Sequence, residues 1–122
     1  MLDVLGSLKN LQWTVYHHFM HIKNQYDFMR AWAVQFEIAY TDFRMVQMAL
    51  QLANNTDLLK QFTTQYNDVY QYEMAFAGGG LEGFNAKFGD QIPAYETAHD
   101  ALLATIETIK KLQPVDDAPE LV

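Results

Sequence analysis

Residues 4–53 decide the fold: VLGSLKNLQW TVYHHFMHIK NQYDFMRAWA VQFEIAYTDF RMVQMALQLA. No proline occurs before Pro93 and no glycine occurs between Gly6 and Gly78, so helix breakers are absent from most of this stretch. Every seventh residue is large and apolar, at Leu8, Val15, Ile22, Met29, Phe36, Phe43 and Leu50. Strict seven-residue spacing is typical of helices that wind around one another, and it predicts long amphipathic helices here.

Two arrangements of this stretch fit the spacing. Either residues 3–53 form one helix of about 75 Å, at ~1.5 Å per residue, or the chain turns at 24–27 and two shorter helices lie antiparallel. The turn lacks glycine and proline, but Asp27 has a side chain that can cap the start of a second helix. Compact domains rarely hold helices much longer than ~25 residues, which favours the turn.

The rest of the chain supplies two further helices. Asn54 to Asp57 have cap-forming side chains, the three glycines at 78–80 predict a helix end, and Pro93 fits the first turn of a last helix. The sequence therefore predicts an all-α protein, an antiparallel bundle of about four helices in one domain, residues 1–113, with coiled-coil-like packing that also joins copies of the chain. We expect helices at about 3–24, 27–54, 57–77 and 93–113, a glycine-rich loop at 78–92, and an acidic flexible tail at 114–122.

Composition narrows the classes of partner. The 122 residues carry 8 Lys and Arg against 15 Asp and Glu, a net charge of −7, so the basic patch of a nucleic-acid-binding protein is not expected and a basic protein partner fits better. There is no cysteine, which excludes disulfides and thiolate chemistry. No apolar run reaches the ~18 residues of a membrane span and the N-terminus lacks a signal-peptide pattern, so we expect a cytoplasmic protein with no membrane partner.

The helix predicted at 27–54 has apolar residues on two opposite faces. One face carries the seven-residue stripe, and the other carries a second stripe. A helix that is apolar on two sides must be packed against other residues on both, and in a 122-residue bundle one helix cannot easily be central on both sides. The second stripe therefore predicts burial in a homo-oligomer. The candidate interface residues are Trp13, Met20, Val34, Ile38, Met45 and Leu52.

Three ionisable residues fall on apolar helix faces: His18, Glu73 and His99. A buried charge is costly unless it is paired or bound to a metal, so these positions predict either a contact between Glu73 and a histidine in the core or a metal-binding or proton-transfer site. Glu96 and His99 form a Glu-x-x-His string, which resembles the iron-ligating string of ferritin-like di-iron bundles. The resemblance covers four residues, and it implies iron, or zinc in a related site, held by Glu73, Glu96, His99 and His18; no other cofactor is predicted.

Three functions follow from these patterns. The doubled stripes and the acidity favour a non-enzymatic interaction protein, an adaptor, inhibitor, immunity or assembly factor that binds itself and a protein partner. The alternatives are a small-molecule-binding bundle and a ferritin-like metal-binding protein. For the small-molecule-binding bundle we expect a cavity between the helices, covered by the 78–92 loop and lined by Trp13, Trp32, Tyr40, Met45, Tyr66 and Tyr70.

Overall fold

The computed structural model describes residues 1–114, in which four helices pack against one another with up-down-up-down connectivity. The helices are α1 (Leu5–Lys23), α2 (Ala33–Leu52), α3 (Thr56–Phe88) and α4 (Ile92–Lys110), and a 3-10 turn at Arg30–Trp32 precedes α2. The all-α prediction and the four-helix bundle are thus confirmed. Residues 115–122 of the predicted tail lie outside the described part of the chain. None of the described helices is long and apolar enough to cross a membrane.

The seven-residue stripe forms the core of the bundle within one chain. Its members are buried in α1 and α2, and only Met29, in the connection between them, is exposed. One apolar cluster joins residues of all four helices, including Leu8, Phe43, Phe62 and Ile106. The stripe therefore drives intrachain packing, and its burial needs no second copy.

The chain turns between α1 and α2, as the hairpin alternative required. The turn is a Schellman motif in which the Tyr26 N–H donates to the His21 carbonyl at 2.8 Å and the Gln25 N–H donates to that of Ile22 at 3.0 Å. Gln25 sits at φ 60°, a conformation that usually selects glycine. Its side chain accepts a hydrogen bond from Asn85 Nδ2 at 2.9 Å, so a contact far along the chain supports the turn.

The prediction of a loop at 78–92 is wrong. α3 continues to Phe88, and inside it only Gly80 leaves the helical region, at φ 65° and ψ −166°. Phe84 and Phe88 are buried in the core, which anchors the part of α3 beyond the kink. One helical segment thus ends at Gly80 and a second begins directly after it, because Phe84 and Phe88 anchor the second segment in the core.

Asp27 caps the helical segment that follows the kink, not α2 as the sequence suggested. Its Oδ1 accepts hydrogen bonds from the Leu81 N–H at 2.9 Å and the Phe28 N–H at 2.8 Å. These two donors hold the pKa of Asp27 below its ordinary value. Since α2 begins only at Ala33, Asp27 lies too far ahead of α2 to cap it.

We expect Gly80→Ala to lower the free energy of unfolding by about 1–3 kcal/mol, because its backbone conformation is almost restricted to glycine. An added Cβ would also lie 3.1 Å from Asp27 Oδ1. Gly79→Ala is the matched control: it is helical with open space around it, and should raise stability by about 0.5–1 kcal/mol. Urea unfolding of both variants measures the effect, and equal shifts for the two would contradict the kink.

Candidate functional site

The outward side of α2 carries an exposed apolar row, here called the outer apolar face. It consists of Val34, Ile38, Met45, Met48 and Leu52, whose exposed fractions range from 42 to 64 %. The opposite side of α2 buries Phe36, Phe43 and Leu50 in the core. Since the core is complete without these five side chains, within one chain they remain in contact with solvent.

Trp13 extends this surface onto α1. Its side chain is 53 % exposed, and it lines a shallow groove between α1 and α2 together with Ile38, Asn10, Thr14 and Gln35. The predicted interface residue Met20 does not join this surface, because it packs half-buried against the core. The other five interface candidates are all exposed.

Two histidines of α1 form an aromatic stack beside Trp13. The His17 ring stacks on the Trp13 ring, with 4.4 Å between the ring centroids. On its other side the His17 ring centroid is 4.3 Å from that of His21. The His21 ring in turn meets the Trp32 ring edge-on, with 4.4 Å between centroids. Partial burial, followed by the nearness of His21, lowers the pKa of His17. Packing against indole rings thus makes this pair part of an apolar surface.

His18 is fully buried on the core side of α1. One ring nitrogen, Nε2, is 2.8 Å from Gln35 Oε1 of the neighbouring helix, and the ring stacks on Phe36 at 4.3 Å. Burial lowers the pKa of His18 to about 4, although the Gln35 bond opposes that shift. His18 is therefore neutral at pH 7, and its bond to Gln35 ties α1 to α2.

Glu73 lies at the centre of the bundle, 2 % exposed. Burial raises its pKa to about 8, so the carboxyl group is mostly protonated at pH 7. Oε2 has no hydrogen-bond partner in the described part of the chain, and neither has the buried hydroxyl of Tyr95. Burial, and after it the charge of Glu73, raises the pKa values of Tyr66 and Tyr95. These three buried residues are here called the buried polar cluster.

The predicted contact of Glu73 with a histidine is not formed. Within residues 1–114 no hydrogen bond or ion pair joins Glu73 to His18 or His99. His99 is buried, stacks on Phe19 at 4.4 Å and has its Nδ1 3.0 Å from Asp100 Oδ1. The core holds the three predicted ionisable residues, but each has different neighbours.

Glu96 does not share a site with His99. It lies half-exposed at the surface, where Oε2 is 3.3 Å from Lys23 Nζ. In the described chain no group of three or more His, Asp and Glu side chains is arranged to hold a metal ion. The iron or zinc set of Glu73, Glu96, His99 and His18 is therefore not assembled in this structure.

The cavity expected for a small molecule is not formed by the predicted residues. Trp13 lies on the outer side of α1, Tyr66 is stacked on Phe43 at 3.8 Å, and no loop covers them. A different groove of about 720 Å³ runs between α2 and α3. Of the predicted lining it contains Tyr40 and Tyr70, and it adds Ala33, Phe36, Glu37, Thr41, Asn67, Met74 and Ala77.

Sequence reasoning missed part of the buried polar cluster and most of that groove. Tyr95 follows the same apolar period as Leu102 and Ile106, so its position indicated burial but not an unpartnered hydroxyl. Asp42 is also buried, and desolvation raises its pKa while Ser7 opposes that shift. The sequence signal for the burial of Asp42 was its position next to Phe43, a member of the seven-residue apolar stripe. The groove has no sequence signal, because it depends on how α2 and α3 lie against each other.

Comparison with known proteins adds no family or relative. No protein-family description, curated protein or solved structure matches this chain. The function must therefore be argued from the arrangement of its own residues.

We expect Glu73 to make the protein less stable as the pH rises. The unfolded state loses this proton near pH 4.5 and the folded state only near pH 8, so stability falls across that window by on the order of 5 kcal/mol. His18 acts oppositely: its folded pKa of about 4 is below its ordinary 6.5, so its contribution rises from about pH 4 to 6.5. Above pH 6.5 the Glu73 effect should dominate.

Glu73→Gln should remove that fall, so its stability gain over the parent should grow between pH 4.5 and 8. Glu82→Gln, an exposed carboxylate of the same helix, is the control and should leave the profile unchanged. Urea unfolding at five pH values measures both. A gain for Glu73→Gln that is the same at pH 4.5 and pH 8 would show that Glu73 is not protonated in the folded protein.

Proposed function

We propose that this chain is a non-enzymatic helical interaction protein, an adaptor, inhibitor, immunity or assembly factor, that acts as a homo-oligomer. The observation that carries the proposal is the outer apolar face of α2, an apolar row that is interrupted only at Thr41 and is exposed along the whole helix. Monomeric proteins rarely leave a contiguous apolar patch of this kind in water, and such patches mark interaction sites.

The free energy available on this face supports association. Complete burial of one Val, Ile, Leu or Met side chain contributes about 1.5–3 kcal/mol, and these five are each about half exposed. Trp13 adds a large aromatic ring next to Ile38, and aromatic residues are enriched at the energetic centres of interfaces. Covering the face therefore yields several kcal/mol before the cost of association is subtracted.

The distribution of charge also supports self-association. The chain carries a net charge of −7, which opposes the approach of two copies in general. None of the five residues of the outer apolar face is ionisable, and the groove beside Trp13 is lined by Asn10, Thr14 and Gln35. Two copies can thus meet here without placing carboxylates against each other, while the acidic remainder of the surface suits a basic protein partner.

We expect Ile38→Glu and Met45→Glu to weaken self-association by at least tenfold each, since a buried unpaired carboxylate is strongly unfavourable in an interface. The control is Thr64→Glu, which adds the same charge at an exposed position of α3. Light scattering coupled to size-exclusion chromatography reports the mass. A parent chain that stays monomeric at 100 µM, or variants that associate like the parent, would contradict the proposal.

The groove between α2 and α3 supports a second candidate, the binding of a small apolar compound. At about 720 Å³ it falls within the ~300–1,000 Å³ range of ligand sites, and Phe36, Tyr40 and Tyr70 offer flat apolar surfaces. Met74 adds an adaptable side chain at the same groove.

We expect a ligand of this groove to raise the melting temperature of the parent chain and of Ile38→Glu, but not of Met74→Glu, which places a charge in the groove. A thermal-shift screen of planar aromatic compounds against the three chains measures this. A compound that stabilises all three equally binds elsewhere, and a screen without hits counts against the candidate.

A further inference from the structure

The outer side of α2 carries a second seven-residue seam, distinct from the one that builds the core. Its positions alternate in steps of four and three residues, as in the a and d positions of a coiled coil. They are Val34, Ile38, Thr41, Met45, Met48 and Leu52, and all six are exposed. The one polar member, Thr41, donates its hydroxyl hydrogen to the Glu37 carbonyl at 3.1 Å, so its own helix already satisfies it.

The spacing of this seam is the same in both directions along the helix. Steps of four, three, four, three and four residues are palindromic, so a reversed copy matches the original position by position. Reversal places Val34 opposite Leu52 of the partner subunit, Ile38 opposite Met48 of the partner subunit, and Thr41 opposite Met45 of the partner subunit. A surface that matches its own reversed copy is what an isologous twofold interface requires.

We infer that two copies of this chain form a twofold dimer in which their α2 helices lie antiparallel along this seam. The inference rests on the self-association proposed above and names its partner and geometry. The α2 helix dipoles are then opposed, a small favourable contribution, whereas in a parallel pair they repel.

The size of the surface fits a dimer. At roughly half exposure each, the seam residues and Trp13 present on the order of 600 Å² per chain, near the ~800 Å² per partner of a standard interface. The seam also ends in a shallow recess formed by Leu52 with Met1, Leu2 and Ala53. In the twofold arrangement this recess lies opposite Val34 of the partner subunit, which would fill it.

Two exposed charged residues lie beside the seam, Glu37 and Arg44, and the reversed copy places Glu37 nearest to the uncharged Gln51 of the partner subunit. Arg44 flanks the twofold axis, where two copies of it approach, but its Nη1 donates to Gln47 Oε1 at 2.9 Å. Gln47 in turn donates to Thr63 of α3 at 2.8 Å, so the guanidinium is held on the flank toward α3. On the other flank Asp42 is buried and adds no exposed charge.

Engineered cysteines test the geometry, since the chain has none of its own. In the antiparallel dimer the two copies of residue 34 lie about 27 Å apart, at ~1.5 Å per residue over α2, while residue 34 faces residue 52 of the other chain. A disulfide needs Cα atoms within about 7 Å. Val34→Cys and Leu52→Cys, made as separate chains of different mass, should therefore cross-link to each other on mixing and oxidation.

We expect the mixed species to exceed either self-linked species by at least tenfold. Thr64→Cys, exposed on α3, replaces one partner as the control and should give only background linkage. Light scattering on the parent chain accompanies the experiment. Self-linked Val34→Cys in a dimeric protein would overturn the antiparallel geometry and leave self-association standing.

Two other results also decide the matter. A dimer in which neither the mixed nor the self-linked species forms would place the interface elsewhere and overturn this inference alone. A parent chain that is monomeric at 100 µM would overturn both this inference and the self-association on which it rests.

Discussion

The seven-residue apolar stripe shared by α1 and α2 is the constraint on which the rest of the structure depends. It continues in register through the turn, so both helices present it to the same core, and α3 and α4 complete the cover. A helix about 20 residues long can bury only one side in a bundle of this size. Whatever apolar residues α2 carries on its other side must remain outside, and this makes the outer apolar face a consequence of how the core is built.

The core accommodates Glu73 and His18 by keeping both side chains neutral. Glu73 holds its proton and His18 lacks one at pH 7, because desolvation disfavours the charged form of each. Their effects on stability have opposite signs with pH and partly offset each other between about pH 4.5 and 6.5. Neither group gathers a metal-ligating set around it in the described chain. The buried polar residues thus restrict the packing of the four helices and leave the exterior of α2 as the stronger candidate for function.

Two hydrogen bonds between residues far apart in the sequence stabilise the end of the bundle that contains the turn between α1 and α2. Asp27 caps the segment after Gly80, and Gln25 bonds to Asn85, so the connection between α1 and α2 and the kink in α3 support each other. Without these contacts, a non-glycine residue at φ 60° and three glycines inside a helix would both be unfavourable. The proposed dimer seam runs along the outside of α2, on positions that the core does not use.

The sequence by itself determined the helices and their ends where a local signal was sufficient. These signals act within a few residues of chain: the apolar period, the absence of breakers up to Gly78, the Asn55 cap of α3 and Pro93 in the first turn of α4. The apolar period also predicted correctly that His18, Glu73 and His99 are buried. It also supplied the second stripe and five exposed interface candidates. Only the tertiary structure decided that the chain turns at Gln25, that a second helical segment follows Gly80 directly, and that Glu96 lies with Lys23 instead of with His99. Each of these depends on a partner more than 50 residues away, whose distance and direction no local pattern encodes.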